Sequence, residues 1–162
     1  RFYSHYHVKR LAAEPLLDAI DQVTGVKTKF KALPLGTRAI DLPDTNYPNY
    51  FLRTFGKPKR VSVCECERSP DENLGQALHT LNGDTIANKI TDKKGRLAKL
   101  IEAKKEHAEI VDEIFLAALC RYPNDEEKKA CKEIVDQAAM PLEGYQDVMW
   151  AILNLKRFIF VH

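Results

Sequence analysis

The segment Glu109-Ile110-Val111-Asp112-Glu113-Ile114-Phe115-Leu116-Ala117-Ala118-Leu119-Cys120-Arg121 decides the fold of this chain. In a helix, its apolar side chains would cover most of the circumference, whereas those of a surface helix form one stripe. Such a helix is stable only when other elements surround it, because it would otherwise expose apolar surface to water. The segment therefore predicts a central, buried helix.

Helical spacing of apolar residues continues after this segment. Pro123, Asn124 and Glu127 supply a helix start with a capping box, and a last helix follows. The predicted inward residues of these two helices are Cys131, Ile134, Val135 and Ala138, then Tyr145, Val148, Met149, Ile152 and Leu153. Because the links between the helices are short, we expect antiparallel neighbours in a helical bundle.

Three more helices are predicted before the central one. Ser69-Pro70-Asp71-Glu72 is a strong start signal for a helix that ends at Asn82-Gly83. Asp84 is expected to cap the second helix, and Gly95 precedes the third. Their predicted inward residues are Leu74, Ala77, Leu78 and Leu81, then Ile86, Ala87 and Ile90, then Leu97, Leu100 and Ile101.

The first part of the chain combines one helix with a long irregular segment. Residues Ala13 to Thr24 have the apolar spacing of a helix, which Gly25 ends. Residues 26–68, called the arm below, are rich in proline, glycine and apolar residues, which favours a wrapped structural arm over a functional loop. The elements predicted in the arm are short strands at Thr37–Leu42 and Val61–Cys66 and a helical turn at Asn49–Phe55.

With 162 residues, the chain is predicted to be a single mainly α domain: a first helix (1–25), an irregular proline-rich arm (26–68) and a helical bundle (69–162), with minor β-structure. A formal net charge of +2 indicates no nucleic-acid partner, and the basic runs Lys27–Lys31 and Lys57–Arg60 are interpreted as solvated faces. No apolar run reaches the roughly 18 residues that a membrane span needs. Because the chain begins at Arg1 without a methionine, we expect a fragment of a longer protein.

The most chemically reactive stretch is Cys64-Glu65-Cys66-Glu67-Arg68. In an extended strand both sulfurs project from one face, so the pair could form a disulfide, hold a soft metal with nearby histidines, or pack as thiols. Cys120 and Cys131 occupy apolar helical faces and are expected to be small core residues, although a bridge to either stays open. The disulfide candidates are Cys64, Cys66, Cys120 and Cys131, and the histidines considered for a metal are His5, His7 and His79. No metal or cofactor is predicted.

Arg68 closes this block beside several acidic residues, just before a helix cap. An ion pair that clamps the arm to the bundle is favoured over an anion site. A Cys66 thiolate activated by His79 would need a third group to orient the histidine, and the sequence does not supply one. Asp18 and Asp21 on the first helix are interpreted as a solvated edge. The candidate functional or clamp residues are therefore Cys64, Cys66, Arg68, His79 and Asn82, and no catalytic residue is assigned.

Blocks spread over nearly the whole chain carry a family resemblance. They are Val8–Glu14, Leu16–Ile20, Thr24-Gly25, Phe51-Leu52, Thr54–Gly56, Pro58, Cys64–Ser69, Gln76–Leu78, Leu81-Asn82, Arg121, Pro123 and the residues Trp150-Ala151, Leu153-Asn154, Phe158, Phe160 and His162. Together they resemble the C-terminal half of the planctomycete secreted domain family, a domain of unknown function. The resemblance implies a periplasmic or secreted setting and a multidomain parent that often has a cytochrome-c-like segment upstream. It implies no activity.

The preferred function is a non-catalytic scaffold or interaction domain of a larger secreted protein, with the other domains of its parent as partners. It rests on the lack of a complete catalytic constellation and on the even spread of core-type residues. The alternative is a secreted hydrolase acting on carbohydrate, or a redox partner of a cytochrome-like domain. That alternative predicts a concave site gathering Cys66, Arg68 and His79. The sequence leaves the oligomeric state open.

Overall fold

The computed structural model describes residues 8–43, 47–57 and 83–161. The helices in these ranges are α1 (Ala13–Thr24), α2 (Tyr50–Thr54), α3 (Asp84–Ile90), α4 (Arg96–Glu102), α5 (His107–Leu119), α6 (Asp125–Gln137), α7 (Pro141–Leu153) and α8 (Lys156–Ile159). Two short strands, β1 (Lys9–Arg10) and β2 (Phe160–Val161), and a 3-10 turn at Ala39–Asp41 complete them. The predicted mainly α class with minor β-structure is confirmed. The predicted strand at Val61–Cys66 and the helix starting at Ser69 lie outside the described residues.

Helix α1 begins and ends where the sequence predicts. Leu16, Leu17 and Ile20 are at most 1% exposed and form its buried face. Gly25 ends the helix at φ +74°, a left-handed conformation that costs glycine little, and its N–H donates to the Asp21 carbonyl at 3.0 Å. Local sequence therefore determines the bounds of this helix.

Helix α5 is the central helix, in contact with α1, α6, α7 and α8. Ile110, Val111, Ile114 and Phe115 form its fully buried face. The prediction of burial around most of the circumference is wrong for residues 116–119, which are half-buried. The neighbouring helices cover the last turn of α5 only in part.

The two ends of α5 differ from their predictions. Its start is fixed by the Glu109 carboxylate, which accepts the Glu106 backbone N–H at 3.2 Å, so the helix begins two residues early, at His107. Its end is fixed by Cys120, which adopts φ +54° and is exposed. The prediction that Cys120 is a core residue is therefore wrong, since the chain leaves the helix at this position.

Helices α6 and α7 are closely packed antiparallel neighbours, as their short link predicts. A Cβ atom on Gly144 would lie 2.6 Å from the Cα of Val135, so only glycine fits there without a backbone shift. All the predicted inward residues of α7 are buried: Tyr145, Val148, Met149, Ile152 and Leu153. On α6, Cys131 is buried and Ile134 and Val135 are partly buried. Helix α7 thus supplies a large share of the core.

The arm follows the prediction of a wrapped structural segment in its described part. Phe30, Phe51 and Phe55 are at most 5% exposed, whereas Leu35 and Tyr50 are exposed. The helical turn at 49–55 is confirmed as α2, with the Asn49 side chain accepting the Leu52 N–H. Buried aromatic rings therefore anchor the arm to the bundle.

Three smaller predictions are wrong. The residues predicted as a strand at Thr37–Leu42 form the 3-10 turn, because a carboxylate of α1 accepts their N–H groups in place of a neighbouring strand. In α3, Ile86 and Ile90 are buried as predicted but Ala87 is exposed, and Gly83 rather than Asp84 is the N-cap residue.

The two ends of the described chain meet in a two-stranded antiparallel sheet that the sequence did not predict. Lys9 pairs with Val161 and Arg10 with Phe160. The Leu11 N–H also donates to the Ile159 carbonyl at 2.9 Å. None of the helices in the described ranges has the length and hydrophobicity to span a bilayer.

Candidate functional site

A cleft of about 460 Å³ lies between α1 and the arm. Its volume falls in the range of small-ligand sites, roughly 300–1,000 Å³. Both walls contribute charged side chains. The lining residues are Pro15, Asp18, Ala19, Asp21 and Gln22 of α1 and Lys27, Gly36, Thr37 and Arg38 of the arm.

Asp18 fastens the 3-10 turn of the arm to α1. Its carboxylate accepts the backbone N–H of Ala39 at 2.6 Å and that of Ile40 at 3.2 Å. These are N-terminal N–H groups of the turn, which lack partners within it. The Nε atom of Arg38 lies 3.6 Å from the same carboxylate. Asp18 therefore holds one wall of the cleft in place.

Asp21 fastens the start of the arm to α1, and it forms a buried ion pair with α3. Its carboxylate lies 2.7 Å from the Nζ atom of Lys89, and the two side chains are 5% and 9% exposed. It also accepts the N–H of Thr28 at 2.6 Å and the hydroxyl of Thr28 at 2.9 Å. Lys89 donates further to the Val26 carbonyl at 3.0 Å. One carboxylate and one ammonium group thus join α1, α3 and the arm.

These contacts show that the solvated-edge interpretation of Asp18 and Asp21 is wrong. One sequence signal could have identified Asp21: it lies four residues after Leu17 and three before Thr24, both fully buried on α1. Nothing local pointed to Lys89, because it lies 63 residues away from Val26, whose carbonyl it contacts.

The C-terminus of α1 is capped by Arg96 of α4. Its guanidinium donates to the carbonyls of Val23 at 2.8 Å and Gln22 at 3.0 Å, and it contacts the Glu113 carboxylate of α5 at 2.6 Å. A cation at a helix C-terminus offsets the partial negative charge of the last carbonyls. The end of α1 beside the cleft is therefore held by Arg96 of α4, which is itself positioned by Glu113 of α5.

The rim of the cleft is cationic. Lys27 is exposed and has no hydrogen-bond or ion-pair partner within the described residues. The Arg38 side chain is 61% exposed. The acidic groups below it already accept several hydrogen bonds each, which occupies much of a carboxylate's acceptor capacity. The arrangement suits binding of an anionic group more than proton transfer.

A second polar cluster joins α5 to α6, away from the cleft. The guanidinium of Arg121 forms a bidentate pair with the Glu127 carboxylate at 2.7 and 2.6 Å and lies over the Phe115 ring, 5.5 Å from its centroid. Asn124 and Glu127 also form the predicted capping box of α6. This cluster is a helix junction.

Replacing Glu127 with glutamine is expected to flatten the acid dependence of stability. The hydrogen bond from Arg121 lowers the pKa of Glu127 from 4.5 to about 2. A carboxylate whose pKa falls on folding stabilises the fold above its unfolded pKa, and this contribution disappears as the pH falls towards 2. We expect about 1 kcal/mol at neutral pH, because both side chains are partly exposed.

Urea denaturation of the native protein and Glu127→Gln between pH 2 and pH 7 measures this difference. A gap between the two proteins that stays constant over the whole interval would contradict the assignment.

A third polar contact joins α5 to α7. His107 Nδ1 lies 3.0 Å from the hydroxyl of Tyr145. Tyr145 is 6% exposed, and this burial raises the pKa of its hydroxyl. Its hydroxyl therefore serves as a buried hydrogen-bonding group at the start of the central helix.

The site residues predicted from the sequence lie mostly outside the described part of the chain: Cys64, Cys66, Arg68, His79 and Asn82, as well as His5 and His7. Cys120 and Cys131, the two cysteines of the described ranges, form no disulfide with each other. Cys131 is 6% exposed and is a small core residue, as predicted, and this burial raises the pKa of its thiol. Whether either cysteine pairs with Cys64 or Cys66 stays a prediction. Within residues 8–43, 47–57 and 83–161, no three His, Cys, Asp or Glu side chains group as a metal site.

Comparison with known proteins identifies a family and no activity. Residues 1–135 match the family model described as PSD1, protein of unknown function (DUF1553). No curated protein and no solved structure matches the chain. The matched segment spans α1, the arm and the helices up to most of α6. Since it covers far more than half of the 162 residues, the chain belongs to the PSD1 family of proteins of unknown function (DUF1553).

Proposed function

We propose that this chain is a non-catalytic interaction domain of a larger secreted, multidomain protein. The observation that supports the proposal is that buried charged groups of this domain form contacts between its structural elements. Asp21 and Lys89 are the most enclosed charged side chains with described contacts, and each is bound to groups on other elements. Charges used in this way hold the arm against the bundle.

A docking surface requires a fixed shape, because ordering a mobile surface on binding reduces affinity. In this domain the arm has no regular structure from Val26 to Phe30, yet Thr28 is tied to Asp21 and Phe30 is 3% exposed. The 3-10 turn is tied to Asp18. The arm therefore presents a rigid irregular surface beside α1, which is suited to recognising another domain.

The secreted, multidomain setting is part of the proposal and comes from the family resemblance. It includes the expectation of a planctomycete source and of a cytochrome-c-like segment in the parent protein. The complete reading frame tests it directly, because it would contain an export signal and at least one further domain. A reading frame without an export signal would overturn the secreted setting.

The interaction function is tested by mixing purified domain with the separately expressed remainder of the parent protein. We expect a 1:1 complex in analytical ultracentrifugation, with crosslinks that map to α1 and the described arm. The same domain incubated with a panel of neutral and sulfated polysaccharides should release no reducing ends. Failure to associate together with release of reducing ends would replace the proposal with the hydrolase alternative.

A further inference from the structure

We propose that the cleft between α1 and the arm binds an acidic peptide segment of the partner domain. The inference rests on the proposed function and adds to it the place of contact and the chemistry of the partner. The segment would be extended, with aspartate or glutamate at alternate positions.

The first support is a row of lysines along the arm. Lys27, Lys29 and Lys31 are exposed, whereas the intervening Thr28 and Phe30 point inward. Thr28 is fixed by Asp21, and Phe30 packs in the core and contacts Tyr47 edge to face. Within the described residues, the three ammonium groups have no ion-pair or hydrogen-bond partner. The alternation therefore presents three unpaired positive charges on one side of the arm.

The second support is the unsaturated guanidinium of Arg38, which lines the cleft and directly precedes the 3-10 turn. Its contact with Asp18 is a 3.6 Å approach of Nε, and no hydrogen bond to its terminal nitrogens occurs in the described ranges. A guanidinium with free terminal N–H groups binds a carboxylate in a bidentate manner. Arg38 can therefore anchor one acidic side chain while Lys27 binds another.

The charge balance of the cleft favours an anionic occupant. Asp21 is neutralised by Lys89, and Asp18 accepts two backbone N–H groups and lies near Arg38. Lys27 and Arg38 in the lining, with Lys29 and Lys31 further along the arm, thus leave a local positive excess that the formal net charge of +2 does not reveal. Such a local field speeds association with an acidic partner and selects against basic ones.

A peptide fits this cleft better than an anionic polysaccharide. Asp18 lies among the lining residues and accepts two backbone N–H groups, and a carboxylate has about four acceptor positions, so Asp18 can accept a further donor. A peptide offers a backbone N–H donor for this carboxylate and acidic side chains for the rim. Acidic residues at every second position of an extended peptide lie on one face of it, so several of them can face the exposed lysines of the arm.

Fluorescence anisotropy with a labelled, end-blocked peptide of alternating glutamate and serine tests the inference on the whole chain. The matched control peptide replaces each glutamate with glutamine. We expect saturable binding of the acidic peptide that weakens as salt rises, and no binding of the control peptide. The double variant Lys27→Gln with Arg38→Gln should lower the affinity about tenfold or more. The double variant Lys93→Gln with Lys94→Gln, which changes two exposed lysines outside the cleft, should leave it unchanged.

Equal weakening by the two double variants would show non-specific charge attraction and overturn the inference. So would binding of heparin, used as a sulfated polysaccharide probe, without binding of the acidic peptide. If the acidic peptide fails to bind while the domain still associates with the rest of its parent, only this inference falls. If the peptide binds at the cleft but the parent does not associate, the inference about the cleft stands and the proposed function falls.

Discussion

A chain cut after Gln137 is expected to lose cooperative folding, although the family match ends at residue 135. The cut removes α7, α8 and β2, which lie beyond the matched residues. The buried side chains of α7 are Tyr145, Val148, Met149, Ile152 and Leu153, at 1–6% exposure. Their removal would open the buried face of α5 and leave β1 without a partner strand.

The size of the effect follows from the burial of these five side chains. Burying one large apolar side chain stabilises a fold by about 1.5–3 kcal/mol, so five of them contribute on the order of 10 kcal/mol. A domain of this kind has a total stability of about 5–15 kcal/mol. The shortened chain should therefore have weak helical circular dichroism and no cooperative urea transition.

The matched control changes α7 without touching the core. Glu143 and Asp147 lie on the exposed face of the same helix. The double variant Glu143→Ala with Asp147→Ala should have a free energy of unfolding within about 0.5 kcal/mol of that of the native protein. Adding residues 138–162 as a separate peptide should restore some helicity to the shortened chain. If residues 1–137 alone unfold in one cooperative transition at native stability, the domain ends where the family match ends, and α7 is peripheral.

The sequence predicted those parts of the fold whose information is local. The bounds of α1 follow from its apolar spacing and Gly25, and the start of α6 follows from Asn124 and Glu127. The sheet formed by the short strands Lys9–Arg10 and Phe160–Val161 was not predicted. No sequence signal near either strand identifies a partner strand some 150 residues away. Spacing patterns identify which faces are buried, but they do not say which element covers each face.

The candidate site was harder to predict for the same physical reason. Lys27 and Arg38 become a cationic rim only because Asp18 and Asp21 place the arm against α1. The run Lys27–Lys31 was interpreted as a solvated face, and its three lysines are exposed as predicted. Its regular alternation, however, comes from the burial of Thr28 and Phe30, which depends on tertiary contacts.

Replacing Lys89 with methionine is expected to destabilise the domain by about 3 kcal/mol. The substitution keeps most of the side-chain volume but leaves the Asp21 carboxylate, 5% exposed, without its counter-ion. Breaking a buried pair by removing one partner costs about 3–5 kcal/mol, because an uncompensated charge stays buried. We expect the lower end of this range, since Thr28 still donates two hydrogen bonds to that carboxylate.

A double-mutant cycle separates the ion pair from simple loss of packing. Asp21→Asn on a Lys89→Met background should recover part of the lost stability, because an amide retains an acceptor for the Thr28 N–H and carries no charge. Lys93→Met makes the same change at an exposed lysine after α3 and should alter the free energy of unfolding by less than about 0.5 kcal/mol. The measurement is urea denaturation of the native protein, Lys89→Met, Asp21→Asn, the double variant and Lys93→Met. If Lys89→Met is as stable as Lys93→Met, the buried pair does not hold the arm, and the rigid cleft loses its physical basis.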